Sequence, residues 1–167
     1  RLQGVFIELR SLKRAVFANT CLPATAKTVV LKSILLTKLF YNAAVWPPLS
    51  KAAQRALKAG LLNVYKAVLV SDVERHKLKT LSLDDAADRL GLPGLEEWLH
   101  QLRLKYLAHL VQGADDALWA ILQQLSAADS SWVGLLQDDV KWLNQHVDAR
   151  ARGLCGQPIA SLDACIS

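Results

Sequence analysis

The sequence predicts an all-α fold: an irregular bundle of about seven helices that forms one domain or two small subdomains. Hydrophobic residues make up 52% of the 167-residue chain, which is enough for a packed core. Charged residues make up 21%, as in globular rather than disordered chains. Apolar residues recur at intervals of three and four rather than two, so the periodicity favours helices over strands.

The first two helices are predicted at residues 2–18 and 25–44. In the first, the apolar residues share one face and the basic residues lie away from it. The second is apolar around most of its circumference, which is typical of a central helix. A turn at Cys21-Leu22-Pro23 separates the two helices, and Trp46-Pro47-Pro48 ends the second because proline cannot continue a helical hydrogen-bond ladder.

A third helix is predicted to begin at the N-cap Ser50 and to reach about residue 70. Its apolar residues share one face, and three basic residues share another because their spacing stacks them along about two turns. These basic residues are Lys51, Arg55 and Lys58. Gly60 weakens the helix by roughly 1 kcal/mol relative to alanine, which makes it the expected place for a kink.

Four more helices are predicted in the second half of the chain, at residues 83–90, 95–112, 115–125 and 132–147. Ser82 is the N-cap of the first of them, and Gly91 opens the turn that ends it. The domain prediction is a basic helical subdomain over 1–70, a connector at 71–81, an acidic helical subdomain over 82–148 and a loose tail at 149–167.

Charge is divided unevenly along the chain. Residues 1–80 carry fourteen lysines and arginines but three acidic residues, a net charge of +11. Residues 81–167 carry six basic and twelve acidic residues, a net charge of −6. A positive field in one half of a chain indicates a polyanionic partner, and nucleic acid is the commonest.

The residue pattern gives no sign of a membrane span, a metal site or a catalytic centre. The longest stretches without a charged residue are twelve residues, short of the roughly 20 that a spanning helix needs. Cys21, Cys155 and Cys165 are too scattered for a zinc site or a disulfide framework, so a reducing compartment is expected. Asp115-Asp116 lies at the start of a predicted helix, where negative charge stabilises the helix by interacting with the positive end of its dipole. This structural role explains the pair, so magnesium binding is not expected. No cofactor is expected.

Two segments carry a family resemblance. Lys27 opens a helix that ends Lys-Leu-Phe-Tyr-Asn-Ala-Ala-Val-Trp at residues 38–46. This resembles the segment beyond the palm in reverse transcriptases of non-LTR (LINE-like) retrotransposons, where a helix closes on a Tyr-Gly…Trp signature. Tyr41 and Trp46 stand at the matching positions, and Asn42 replaces the usual glycine.

The second segment, residues 102–111, is similar to an Arg-Leu-Arg-Trp-Leu-Gly-His-Val run of the same elements. Arg103 and His109 match, whereas Tyr106 stands for the tryptophan and Ala108 for the glycine. Together the two segments extend the resemblance over roughly residues 1–112.

The resemblance implies a non-catalytic part of an RNA-directed DNA polymerase. The first three helices would correspond to the thumb, which grips the template–primer duplex, and the catalytic aspartates would lie upstream of Arg1. Because the chain begins at Arg1 and contains no methionine, we expect it to be a segment of a longer reading frame. The implied partners are an RNA–DNA hybrid or duplex and the rest of the polymerase chain. The implied location is intracellular, and nuclear if the element is eukaryotic.

The predicted nucleic-acid site is the basic face of the third helix, widened by lysines of the second. Its residues are Lys27, Lys32, Lys38, Lys51, Arg55, Lys58 and Lys66. A solvated helix face is the alternative explanation for these charges, but acidic counter-charges are scarce in residues 1–80.

Two other functions stay open. Residues 82–112 have the spacing of a helix-turn-helix DNA-binding module, although Glu96 and Glu97 would open its recognition helix with the wrong charge for DNA. The other alternative is that the acidic half is a protein-interaction module whose tryptophans contact a partner. Packing of these tryptophans in the core is the simpler explanation for them. These tryptophans are Trp119, Trp132 and Trp142.

Overall fold

The computed structural model describes residues 1–125 and 131–146. Every regular element in this described part is helical, which confirms the all-α prediction. The helices are α1 (Leu2–Leu12), α2 (Ala24–Val30), α3 (Thr37–Leu39), α4 (Lys51–Val68), α5 (Arg75–Thr80), α6 (Leu83–Leu90), α7 (Leu95–Gly113), α8 (Asp116–Leu125) and α9 (Trp132–His146). The tail predicted at residues 149–167 lies outside the described residues.

Wide helical turns interrupt the first two predicted helices. α1 continues directly into a π-helical turn at Lys13–Phe17, and a second π-helical turn at Leu31–Leu36 joins α2 to α3. A π turn adds a residue to the turn and re-aims the side chains that follow. The second helix ends before Asn42, which has the left-handed conformation (φ 54°, ψ 25°) and precedes a 3₁₀ turn at Ala43–Val45.

The chain divides into two compact units. Unit 1 contains Arg1–Tyr41 and Leu49–Glu97, and unit 2 contains Asn42–Pro48 and the chain from Trp98 onward. This division differs from the boundary predicted at residues 71–81, because α6 packs on α4 within unit 1. The net charge of the sequence changes sign at residue 81, but α6 lies beyond that point and still belongs to unit 1 because it packs against α4.

The core of unit 1 is formed by α1, the α2–α3 segment and α4. Its fully buried apolar side chains are Val5, Phe17, Leu31, Leu35, Leu39, Leu61, Val64, Tyr65 and Val68. The α-helix of α4 continues through the buried Gly60, where a methyl group would overlap the side chain of Leu2. Gly60 therefore leaves room for the end of the Leu2 side chain, a role that its effect on helix propensity alone did not indicate.

Local capping fixes the ends of α6 as predicted. Ser82 Oγ accepts a hydrogen bond from the Asp85 amide (3.1 Å), and the Asp85 carboxylate accepts one from the Ser82 amide (3.4 Å). This reciprocal pair is a capping box. Gly91 ends the helix in the left-handed conformation (φ 59°), and the Leu92 amide donates to the Ala87 carbonyl (2.9 Å).

Unit 2 has a core of its own, formed by α7, α8 and α9. The buried residues of this core are Leu107, Leu110, Leu122, Val133, Leu136 and Val140. Trp119 and Trp132 pack against it, and the Trp132 indole donates a hydrogen bond to the Ala44 carbonyl (2.7 Å). The Asn42–Pro48 segment therefore belongs to unit 2 through a specific contact.

Candidate nucleic-acid interface

The N-terminal half of α4 presents three of the predicted basic residues together. Lys51, Arg55 and Lys58 are all exposed, and their spacing of four and three residues sets them on one face of a continuous α-helix. Lys58 Nζ lies 2.7 Å from Glu96 Oε1. Lys51 and Arg55 have no ion pair among the described residues.

The start of α4 favours an anion. Ser50 is its N-cap, and Ser50 Oγ accepts a hydrogen bond from the Ala53 amide (3.2 Å), so the first turn is held in place. The first turn contains no acidic residue, and Lys51 adds its charge to the positive end of the helix dipole. Helix N-termini of this kind bind phosphate readily.

Two lysines of the second predicted helix are also exposed. Lys32 lies in the π-helical turn and has no ion pair among the described residues. Lys38 is 51% exposed and pairs with Glu8. Both side chains remain available to a polyanion, since a surface ion pair such as Lys38–Glu8 is weak in water.

Lys27 is the exception and corrects the predicted site. Its side chain is 1% exposed, and Nζ donates to Ser71 Oγ (2.5 Å) with Asp72 Oδ1 at 4.0 Å. Ser71 and Asp72 follow α4, so the lysine joins the start of α2 to the end of α4. A phosphate cannot reach a charge that is buried and already satisfied, so Lys27 is removed from the predicted contact set.

Lys66 lies in a second group of cations, and the sequence predicted no other member of this group as a site residue. A groove of about 470 Å³ opens between α1, α4 and α5, and a second hollow of about 420 Å³ shares part of its lining. The basic residues that line the two hollows are Arg10, Lys13, Lys66, Arg75 and Lys79. The basic run around residues 75–79 was a signal for this group, but its placement beside α1 depends on tertiary packing.

All three acidic residues of the basic half are engaged. Glu8 pairs with Lys38, Asp72 with Lys27, and Glu74 with Lys77 (3.1 Å). Unit 1 as a whole, which also contains the acidic residues of 81–97, has fifteen lysines and arginines and eight acidic residues, a net charge of +7. A positive net charge of this kind attracts polyanions.

The acidic residues of the second half have structural partners. Asp85 caps α6, and Asp115 Oδ1 accepts a hydrogen bond from the Leu118 amide (2.9 Å) at the start of α8. Asp139 is fully buried and accepts two hydrogen bonds from Arg103, each 2.6 Å long, while His100 Nδ1 lies 2.5 Å from Asp139 Oδ1. Arg103, one of the two residues that matched the family run, therefore has a structural role.

His109, the other matching residue, is exposed. Trp142 stacks between His100 and His146, with ring centroids 4.8 and 4.7 Å away. Each predicted tryptophan anchor of the acidic half thus has neighbours within unit 2, which favours the packing explanation over an exposed binding surface.

α6 and α7 do have the arrangement of two helices joined by a short turn, with residues 91–94 between them. Glu96 and Glu97, in the first turn of α7, are exposed. Negative charge at the start of the second helix would repel DNA phosphates, so the charges do not favour this pair of helices as a DNA reader.

The described residues also bear on metal binding and on membrane insertion. They contain no group of three or more histidine, cysteine or acidic side chains placed to hold a metal ion. By length and composition alone, the segment Ala24–Val45 could cross a membrane, which the lengths of the uncharged stretches did not indicate; an 18-residue window within it has a mean hydropathy of 1.3. Core helices share these properties, and Leu31, Leu35 and Leu39 of this segment are fully buried in unit 1.

Comparisons of this chain with protein-family models, with curated proteins and with solved structures find no significant match.

Proposed function

We propose that this chain is a non-catalytic, thumb-like part of a retroelement RNA-directed DNA polymerase, and that it grips a nucleic-acid duplex through phosphate contacts. The observation that carries the proposal is the exposed face of Lys51, Arg55 and Lys58 in a half of the chain whose acidic residues are all engaged. Side chains on one helix face can follow a phosphate backbone without reading bases.

The backbone at Asn42 supports the family resemblance. Asn42 stands where the Tyr-Gly…Trp signature has glycine, and it adopts the left-handed conformation that glycine favours. Asparagine is one of the few other residues that tolerate this conformation, so Asn42 can occupy a backbone position that would otherwise favour glycine.

The proposed contact set is Lys32, Lys38, Lys51, Arg55 and Lys58, because Lys66 lines the groove between α1, α4 and α5 instead. The proposed ligand is an RNA–DNA hybrid or a duplex bound without sequence preference. The rest of the polymerase chain would supply the catalytic carboxylates, and the proposed location is intracellular, or nuclear for a eukaryotic element.

A charge-reversal pair tests the proposed face. The double variant Lys51→Glu, Arg55→Glu should bind a hybrid duplex more weakly, and its log Kd against log salt slope should fall by about 0.9 for each lost phosphate contact. The measurement is fluorescence anisotropy with a labelled hybrid at several salt concentrations.

The matched control is Lys105→Glu, Lys141→Glu, which changes the net charge equally at exposed sites of unit 2. If Lys51, Arg55 and Lys58 contact the duplex, this control variant should leave the slope of log Kd against log salt unchanged. Equal losses in the two double variants would show that binding follows net charge alone and would contradict the proposed site.

A further inference from the structure

The groove between α1, α4 and α5 combines an apolar floor with a basic rim. The two hollows share Lys13, Lys66, Val70 and Leu78, so they form one continuous trough within unit 1. The apolar side chains of the floor are Phe6, Leu9, Ala67, Val70 and Leu78. Four of these five are only partly buried, so the trough leaves apolar surface in contact with water.

The rim carries charge of one sign. Arg10, Lys13, Arg75 and Lys79 have no ion pair among the described residues, and Lys66 Nζ donates to the Lys79 carbonyl (3.1 Å). Within the part of the chain that the structure describes, the residues lining the two hollows include no aspartate or glutamate. A ligand that covered the floor with uncharged groups alone would remove water from these cations without supplying an anion or a hydrogen-bond acceptor in its place. The loss of solvation would then be unfavourable.

The floor favours aliphatic side chains over nucleobases. Four of its residues are aliphatic, and Phe6 is the one aromatic ring among the lining residues, so a stacking platform for bases is absent from this part of the described chain. Phe6 and Leu9 are one helical turn apart, as are Ala67 and Val70. Each pair forms part of a row of side chains along its helix, and the side chains of a third helix can pack between two such rows.

We propose that this trough is a docking site for an acidic amphipathic helix of a partner protein. Apolar side chains at intervals of three and four would cover the floor, and aspartate or glutamate beside them would face the rim. The inference does not depend on the nucleic-acid proposal, because it uses α1, α5 and the C-terminal end of α4 rather than the face of Lys51, Arg55 and Lys58.

The probe for this site is an 18-residue labelled peptide with leucine at helical intervals of three and four and glutamate elsewhere, titrated with the full chain. Two control peptides carry lysine in place of glutamate, or serine in place of leucine. The acidic peptide should bind saturably, and both controls should bind at least about tenfold more weakly, since the site needs charge and apolar contact together. Equal binding of the serine peptide would overturn the proposal.

Variants of the chain separate this site from the α4 face. Lys13→Glu, Lys79→Glu lies on the exposed rim and should weaken peptide binding about tenfold or more, whereas Lys51→Glu, Arg55→Glu should leave it unchanged. Circular dichroism of both variants checks that they remain folded.

Competition with a nucleic-acid duplex decides the class of ligand. A duplex should leave the peptide bound, and the rim variant should bind the duplex nearly as the unmodified chain does. If the duplex displaces the peptide and the rim variant loses duplex affinity as well, the trough belongs to a nucleic-acid surface and the peptide proposal fails. Failure of the α4 variant to affect duplex binding would overturn only the proposed function.

Discussion

Lys27 shows at the scale of one residue how a basic position can be structural. In the sequence it resembles the other lysines of the apolar helix, but its ammonium group lies against Ser71 and Asp72, which are 44 and 45 positions later in the chain. A buried charge is retained only when it is paired or hydrogen bonded. No local pattern around Lys27 indicates those distant partners, so its burial could not be predicted from the sequence.

The replacement Lys27→Met tests that structural role. It should change the free energy of unfolding and leave the salt dependence of duplex binding unaltered, because the buried ammonium cannot contact a phosphate. Chemical denaturation and anisotropy titration measure the two effects. A shallower salt slope for this variant would show that Lys27 contacts the ligand after all.

Asp139 is the corresponding residue of unit 2. Its fully buried carboxylate accepts hydrogen bonds from Arg103 and lies beside His100, so removing either Arg103 or Asp139 leaves the other charge uncompensated in the interior. Asp139→Ala should destabilise the protein by about 3–5 kcal/mol, the usual cost of breaking a buried ion pair.

The double replacement Arg103→Met, Asp139→Leu is the control for that prediction. It removes both charges and should recover most of the lost stability, since hydrophobic residues of similar volume often replace a buried pair at little cost. Urea denaturation measures both variants. An unfolding free energy that stayed unchanged in Asp139→Ala would contradict the buried pair.

At the scale of the element, α6 was the most predictable helix. Ser82 and Gly91 mark its two ends in the sequence, and both act through neighbouring backbone groups, so no distant contact is needed. The π-helical turns at Lys13–Phe17 and Leu31–Leu36 could not be found in this way. One extra residue in a turn leaves the apolar pattern almost unchanged, and packing decides where it is placed.

The capping box of α6 makes a prediction about pH. Hydrogen bonds from the Ser82 side chain and backbone, aided by the charge of Arg89, lower the pKa of Asp85 below its ordinary value of 3.8. Since the folded state favours the carboxylate, this stabilisation is complete above the ordinary pKa and is lost as the pH falls through the lowered pKa.

Asp85→Asn tests the effect because it keeps an acceptor but removes the charge. The Tm of the unmodified chain should exceed that of the variant by a constant amount at neutral pH, and the difference should shrink as the pH falls below 3.8. Thermal unfolding across this pH range measures it. A difference that grew on acidification would contradict the direction of the shift.

The groove between α1, α4 and α5 could not be predicted from any one of these helices alone. α5 falls in the segment 71–81 that the sequence assigned to a connector, and its Leu78 and Lys79 become part of a site only when they meet α1 and α4. Helical spacing predicted the group of Lys51, Arg55 and Lys58, since those residues share one element. The cations of the groove come from three elements, so spacing could not bring them together.

At the scale of the whole molecule, the charge division and the structural division follow different rules. Net charge changes sign near residue 81, whereas unit 1 extends to Glu97 because α6 is buried against α4. Composition therefore predicted the positive field and its half of the chain, and hydrophobic contact determined the boundary. The acidic residues Glu8, Asp72 and Glu74 leave this field largely uncompensated within residues 1–80.

The salt dependence of binding to two unrelated RNA–DNA hybrids tests the central claim most directly. Five cations are proposed to contact the duplex, and three of them (Lys32, Lys51 and Arg55) have no ion pair among the described residues. At about 0.9 for each phosphate contact, the slope of log Kd against log salt concentration should lie between about 2.7 and 4.5. The two hybrids should give the same Kd at each salt concentration, because the contacts read no bases. No measurable binding at low salt, or an affinity that depends on hybrid sequence but not on salt, would contradict the account.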